Sequence, residues 1–384
     1  MTVLDHSTVP SPPASGWSPD AHGPRSDPAP LLPDAEPVRV LGTSAFTDLA
    51  ARPEGPALLR ELYRRLVAGR RYNQQATTLT KQGRLAVYPA STGQEACQIA
   101  AATALRPTDW LFPSYRDTLA VVSRGVDPLA VLTLLRGNAH SGYDPYEHRV
   151  APLSTPLATQ APHAVGLAHA ARLRGDSTVA LALVGDGGTS EGDFHEALNF
   201  AGVLNAPVVF LVQNNGYAIS VPLAKQSAAP TLAHKAVGYG IHGRLVDGND
   251  AVAMHSVLSD AVEHARSGRG PVLVEAVTYR MEAHTNADDA GRYRSSEEVA
   301  DWQQRDPLAL LERGLREAGL LTDQDVQEAA TAAEDLADRM RTLFHVKPEL
   351  DPMSLFTHVY AEPTPQLREQ AAQLAAELAA EAAS

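Results

Sequence analysis

The chain has 384 residues, a formal net charge of −13 and a single cysteine. That length can bury a large core, as one big α/β domain or as two. The acidic balance argues against nucleic acid or an anionic membrane as the main partner, while Cys97 alone excludes a disulfide framework or a cysteine-rich metal site.

In chain order, residues 1–45 are rich in Pro, Ala, Ser and Asp and lack an apolar h-region. They are expected to form a solvated, disordered tail, too acidic and too poor in arginine for a mitochondrial transit peptide. No run approaches the length of a membrane span, so a soluble cytoplasmic protein is expected. From Pro56, apolar residues Leu58, Leu59, Leu62, Tyr63, Leu66 and Val67 recur at helical spacing through Arg71. Residues 79–84 read as a loop, followed by a helix over Gly93–Leu105 in which Cys97 is a small buried apolar residue. Further helices are expected over Tyr115–Ser123 and Pro128–Leu135. The Gly/His/Tyr/Pro-rich stretch 137–152 reads as an irregular loop, and Pro162–Arg174 as an Ala-rich helix. Thr178–Val184 and Pro207–Val212 are apolar, β-branched runs that read as buried strands, with a helical pattern over Gly192–Leu204 between them. A short helix (Leu232–Tyr239), a strand (Gly243–Asp247), a helix (Ala251–Ser267) and a strand (Pro271–Val277) follow. Helix then dominates over Glu297–Ala318, Thr322–Leu343 and Pro363–Ala383. Strands alternating with helices predict an α/β fold with a doubly wound, mostly parallel sheet flanked by helices and a helical C-terminal extension. The domain spans 46–345 and the extension 346–384.

The chemistry concentrates where the two apolar strands end. Gly185-Asp186-Gly187 follows the first, and Asn214-Asn215-Gly216-Tyr217 follows the second. Either motif alone is an ordinary turn. Together, at the carboxyl ends of neighbouring parallel strands, an aspartate and an asparagine can share one Mg²⁺ that holds a diphosphate. A thiamine-diphosphate site requires that arrangement.

The wider text resembles the alpha subunit of the decarboxylating component of 2-oxo acid dehydrogenase complexes, a family with the thiamine-diphosphate-binding fold. The resemblance rests on residues 112–117 (FPSYRD), 154–160 (STPLATQ), 185–193 (GDGGTSEGD), 213–220 (QNNGYAIS), 246–250 (VDGND) and 279–289 (YRMEAHTNADD). It implies Mg²⁺ ligation by Asp186, Asn215 and the Tyr217 carbonyl. It further implies diphosphate contacts from Tyr115, Arg116, Gly187, Gly188 and Gln213, the last standing where branched-chain relatives often carry Arg. By the same resemblance, Ser154, the Pro156 carbonyl, Thr159 and Gln160 would hold K⁺, while Thr155 and Leu157 would touch the cofactor. Thr159 also reads as a helix N-cap. A lone loop histidine is usually just solvated, but His284 matches the family's catalytic-loop histidine. It would hydrogen-bond the diphosphate or a developing charge and assist acyl transfer. Thr285 and Ser295 align with positions that mitochondrial relatives phosphorylate, and His140 falls in a segment that departs from the family's pattern.

The implied reaction is decarboxylation of a 2-oxo acid, the acyl group passing to lipoyl on an acyltransferase core. The implied assembly is a heterotetramer of two alpha and two beta chains, the beta subunit completing the site. Residues 154–160 are closest to branched-chain enzymes, with pyruvate dehydrogenase the alternative and acetoin dehydrogenase more distant. A nicotinamide-dependent oxidoreductase would need a third glycine, which Gly185-Asp-Gly-Gly lacks at the required spacing. A non-catalytic scaffold subunit would have no use for Asp186, Asn215, Arg116 and His284 together.

Overall fold

A computed structural model describes residues 27–138, 140–344, 351–357 and 359–383. Five parallel strands form the main sheet: β1 (Trp110–Phe112), β2 (Ala180–Gly185), β3 (Val208–Asn214), β6 (His242–Asp247) and β7 (Val272–Val277), in the order β1-β2-β3-β7-β6. Two short strands, β4 (Tyr217–Ala218) and β5 (Val221–Pro222), make an antiparallel hairpin just beyond β3.

The sheet is covered on both faces, and strand alternation decides which side chain goes where. Leu181, Leu183, Val209, Leu211, Val272 and Val274 point into one core, which they share with the helices Glu95–Thr103 and Ala251–Arg266. Ala180, Ala182, Val184, Val208, Phe210 and Val212 point into the other, beneath the helices Gln160–Arg174 and Gly192–Leu204. A strand buried on both sides reads as the unbroken apolar run seen in the sequence. In register, Gly185 lies beside Gln213, so Asp186 and Asn215 leave the sheet at adjacent points on its carboxyl edge.

Several boundaries differ from the sequence expectation. The first long helix runs from Gly55 to Lys81, beyond Arg71 and into the first half of the stretch 79–84 expected to be a loop. Its last turns bury Tyr72, Ala76 and Leu79 with Leu132, Leu135, Met340 and Phe344, and that packing outweighs the local polarity. The segment 297–318 is two helices, Ser296–Gln303 and Pro307–Glu317. Pro307 has no N–H to continue the first, and the Asp306 carboxylate caps Leu308 and Ala309 to start the second. The helix expected from Tyr115 begins at Thr118, which leaves Tyr115 and Arg116 on a loop.

The assignment of 1–45 to a free tail is corrected over its second half; residues 1–26 lie outside those described. Val38 bridges Val246 in parallel, with its N–H on the Leu245 carbonyl, and Asp34 accepts from Arg244 and the Leu245 N–H. Leu31 and Val40 are buried. Composition missed this because a segment needs only a few backbone bonds and two anchors to lie along an existing sheet edge. At the other end, the helix Pro365–Ala383 buries none of its residues.

Candidate functional site

A cavity of about 230 Å³ opens at the carboxyl edge of β2 and β3. Its wall includes Tyr115, Arg116, Leu157, Gln160, Asp186, Gly187, Gly188, Gln213, Asn215, Tyr217 and His284. These are the expected residues from five separate motifs, brought to one place. Ser154, Thr155, Pro156 and Thr159 lie on the loop that leads into the helix Gln160–Arg174 and are not among the residues lining the cavity. Thr155 is exposed and is not among the residues lining the cavity. His140 is also exposed, its Nδ1 accepting from the Gly142 N–H away from the cavity.

The charges of the site do not cancel internally. Asp186 is 1% exposed, and its carboxylate accepts from Gln226 Nε2 at 2.7 Å and from backbone N–H groups, that of Asn215 among them. Burial pushes its pKa up, opposed by the Gln226 amide. Among the described residues it forms no ion pair. Across the cavity, two guanidinium groups are likewise without a carboxylate partner among the described residues. Arg116 donates to the carbonyls of Ala90 and His284 at 3.0 and 3.1 Å. Arg280, 1% exposed, donates to the Ile219 carbonyl and the Tyr293 hydroxyl at 2.8 and 2.9 Å. A lone buried carboxylate facing two buried guanidiniums costs stability unless something neutralises both signs. A divalent cation on the carboxylate, bridging to an anion on the arginines, would do so.

His284 links the two arginines. Its Nδ1 lies 2.9 Å from Arg116 Nη2 and 3.1 Å from Arg280 Nη1, and both are obligate donors. Nδ1 must therefore accept, which leaves the proton on Nε2. Burial and the two positive neighbours push its pKa down to about 4. At neutral pH it is an uncharged imidazole whose remaining N–H can donate a hydrogen bond. Its backbone is pinned by Asp288, whose Oδ2 accepts the His284 N–H at 2.8 Å and the Tyr293 hydroxyl at 2.5 Å.

The floor of the cavity has room because two side chains are missing from it. A Cβ on Gly187 would meet the Ala218 Cβ at 2.7 Å, and one on Gly188 would meet Val184 Cγ1 at 2.7 Å. Both glycines precede the helix Gly192–Leu204, whose first turn leaves N–H groups without helical partners. Tyr217, on the hairpin, is held by its hydroxyl donating to Glu298 at 2.8 Å.

In the loop 154–160, Ser154 Oγ donates to the Pro156 carbonyl at 2.9 Å. Gln160 donates through Nε2 to the Leu183 carbonyl at 2.7 Å, and its buried Oε1 has no hydrogen-bond partner. Thr159 occupies the N-cap position but its side chain makes no capping bond, so capping does not account for it. An amide oxygen left without a donor is the type of ligand that suits a hard cation.

Gln213 lines the cavity. Its Nε2 donates to Asp117 at 2.7 Å, and its Oε1 accepts from Gln94 at 3.3 Å, so its bonds run into the protein. Gln94, Asp117, Gln226 and Arg280 were not singled out from the sequence. Asp117, in the run 112–117, and Arg280, in the run 279–289, lie within motifs that could have shown them.

Fold and site define a parallel α/β protein with its pocket at the carboxyl edge of the sheet, lined by a buried carboxylate and two buried guanidiniums. A family model described as "Dehydrogenase E1 component" matches residues 63–341. The chain belongs to that family. It is 45% identical over 351 residues to the 3-methyl-2-oxobutanoate dehydrogenase subunit alpha of Mycobacterium tuberculosis, covering 90% of this chain and 95% of that protein. It is 37% identical over 316 residues to the pyruvate dehydrogenase E1 component subunit alpha of Acholeplasma laidlawii, covering 81% and 91%. Its identity to the corresponding Staphylococcus aureus protein is 40% over 277 residues, covering 72% and 75%. Among the described residues no helix is long and apolar enough to cross a membrane.

Proposed function

We propose that this chain is the alpha subunit of a branched-chain 2-oxo acid dehydrogenase, acting with a beta subunit and passing its acyl product to lipoyl on an acyltransferase core. One observation carries the cofactor assignment: the unpaired Asp186 carboxylate faces two guanidiniums that are also without ion pairs, as a Mg²⁺–diphosphate site demands. Asp186, Asn215 and the Tyr217 carbonyl would hold the metal. The N–H groups of Gly187 and Gly188 with Tyr115 and Arg116 would hold the diphosphate, and Leu157 would lie against the rest of the cofactor. Ser154, Pro156, Thr159 and Gln160 would hold K⁺ behind it, in keeping with the free Oε1 of Gln160.

Thiamine diphosphate, when bound, supplies the nucleophilic carbon and the electron sink that decarboxylation of a 2-oxo acid needs. The chain's own contribution is electrostatic and positional. Arg116 and Arg280 keep His284 neutral with its proton on Nε2, so that it donates to phosphate or to developing negative charge without adding a full positive one. The apolar Leu157 and Ile219, both more than two-fifths exposed, stand at the mouth, where a beta subunit would cover them and exclude water.

The branched-chain substrate is favoured by the 45% identity across nine-tenths of the chain. Pyruvate is the second reading, supported by relatives at 37% and 40% identity. Initial rates of the assembled alpha and beta subunits with 3-methyl-2-oxobutanoate and with pyruvate separate the two. We expect at least a tenfold higher kcat/KM, about 1.4 kcal/mol, for the branched acid. A tenfold preference for pyruvate would reverse the assignment.

A further inference from the structure

Behind the metal-ligand pair lies a row of buried amides that no catalytic role uses. Asn215 Nδ2 donates to Gln94 Oε1 at 3.2 Å, Gln94 Nε2 donates to Gln213 Oε1 at 3.3 Å, and Gln213 Nε2 donates to Asp117 Oδ1 at 2.7 Å. Asp117, Gln94, Gln213 and Asn215 are 0%, 1%, 2% and 6% exposed, so water does not compete for these bonds.

An amide side chain has two faces of nearly equal shape, one accepting and one donating, and nothing in a single amide says which way it should turn. A carboxylate at the end of the row removes that freedom. Asp117 already accepts from the Ser114 N–H and hydroxyl at 2.8 and 2.6 Å and from Gln98 Nε2 at 3.1 Å. An acceptor so placed takes only the NH₂ face of Gln213. Gln213 must then offer oxygen to Gln94, Gln94 must offer oxygen to Asn215, and Asn215 must turn its NH₂ inward. Its Oδ1 is left on the cavity side, where it accepts from the Tyr217 N–H at 3.2 Å.

We propose that Asp117, Gln213 and Gln94 form a polarity relay whose task is to present the Asn215 carbonyl oxygen, and not its NH₂, to the metal. The inference rests on the assignment of Asn215 as a Mg²⁺ ligand. Gln94 and Gln213 are positioning residues under this reading. The glutamine at 213, where an arginine would have placed a charge in the pocket, serves orientation instead.

The test is a Mg²⁺ titration of the full chain assembled with its beta subunit at fixed thiamine diphosphate, read by tryptophan fluorescence, with the metal-free thermal midpoint recorded in parallel. Gln94→Met keeps length and neutrality but offers Asn215 no acceptor. Its half-saturating Mg²⁺ concentration should rise about 10- to 100-fold, the range seen when partners of metal ligands are removed. Gln94→Glu still accepts from Asn215 and should bind Mg²⁺ as tightly as the wild type or tighter. A shift of less than tenfold in Gln94→Met, or Gln94→Glu as weak as Gln94→Met, overturns the relay. So does a fall in the metal-free midpoint that accounts for the whole loss, since that marks a merely structural residue. Should Gln94→Met fail to fold, Gln213→Met breaks the row one link earlier, again without changing charge, and is held to the same tenfold threshold. A wild-type assembly that binds no Mg²⁺ with thiamine diphosphate sinks the site assignment itself and the relay with it, whereas wild-type binding matched by the variants sinks the relay alone.

Discussion

Replacing Asp186 by asparagine removes one negative charge and changes almost no shape. The Asp186 carboxylate is buried, forms no ion pair among the described residues and accepts from Gln226 and from backbone N–H groups. Its raised pKa means that burial disfavours the charged form, so at neutral pH the aspartate weighs against folding. The Asp186→Asn variant, whose Oδ1 can still accept from Gln226, should therefore melt at the wild-type temperature or slightly above when metal is absent. The difference appears on adding Mg²⁺ and thiamine diphosphate. A ligand that binds only the folded state stabilises it by about 2.7 kcal/mol at a hundredfold excess over Kd. Unfolding entropy of about 2.1 cal/mol/K per residue gives a chain of 384 residues about 0.8 kcal/mol/K, so the wild-type midpoint should rise by about 3 °C. In Asp186→Asn the rise should vanish. Differential scanning calorimetry of the full chain measures both halves. If the variant keeps the full rise, Asp186 does not carry the metal. If its metal-free midpoint falls by several degrees, the carboxylate has a structural partner and the electrostatic reading of the site is wrong.

Two further outcomes follow from the same geometry. Gly187→Ala would place a methyl 2.7 Å from the Ala218 side chain and force the β4–β5 hairpin away from the cavity floor; chemical denaturation should show a loss of roughly 1–3 kcal/mol, and unchanged stability would mean that the hairpin yields freely. His284 has its folded pKa pushed down to about 4 by burial and by Arg116 and Arg280, against an ordinary value of 6.5. Between these values the unfolded chain binds a proton at this residue that the folded chain does not, so its contribution to stability is fully present above pH 6.5 and is lost as pH falls toward 4. Urea midpoints of wild type and His284→Gln over that window should diverge, with the wild type falling faster toward acid. Parallel curves would show that His284 is not held neutral.

How much of this was readable from the residues depends on how far each partner lies along the chain. Asp186 and Asn215 were legible because each directly follows the apolar strand that positions it, and the run 178–212 contains strand, turn, helix and strand in one local pattern. The N-terminal segment was not, because its place is set by two bonds from Val38 to β6, more than two hundred residues away, and by no apolar periodicity of its own. Nor was β1, whose three residues are too few to show a period of two. Gln213 shows the limit most clearly. Read in its own motif, it is a weakened phosphate contact, an arginine position that has lost its charge. What it does is decided by Asp117, 96 residues earlier in sequence, and by Gln94, 119 residues earlier. A buried amide can face either way, and only the acceptor at the far end of its hydrogen-bonded row settles which. Local pattern can therefore point to the strand ends that line such a cavity, whereas the groups that orient its side chains become visible only when the chain is folded.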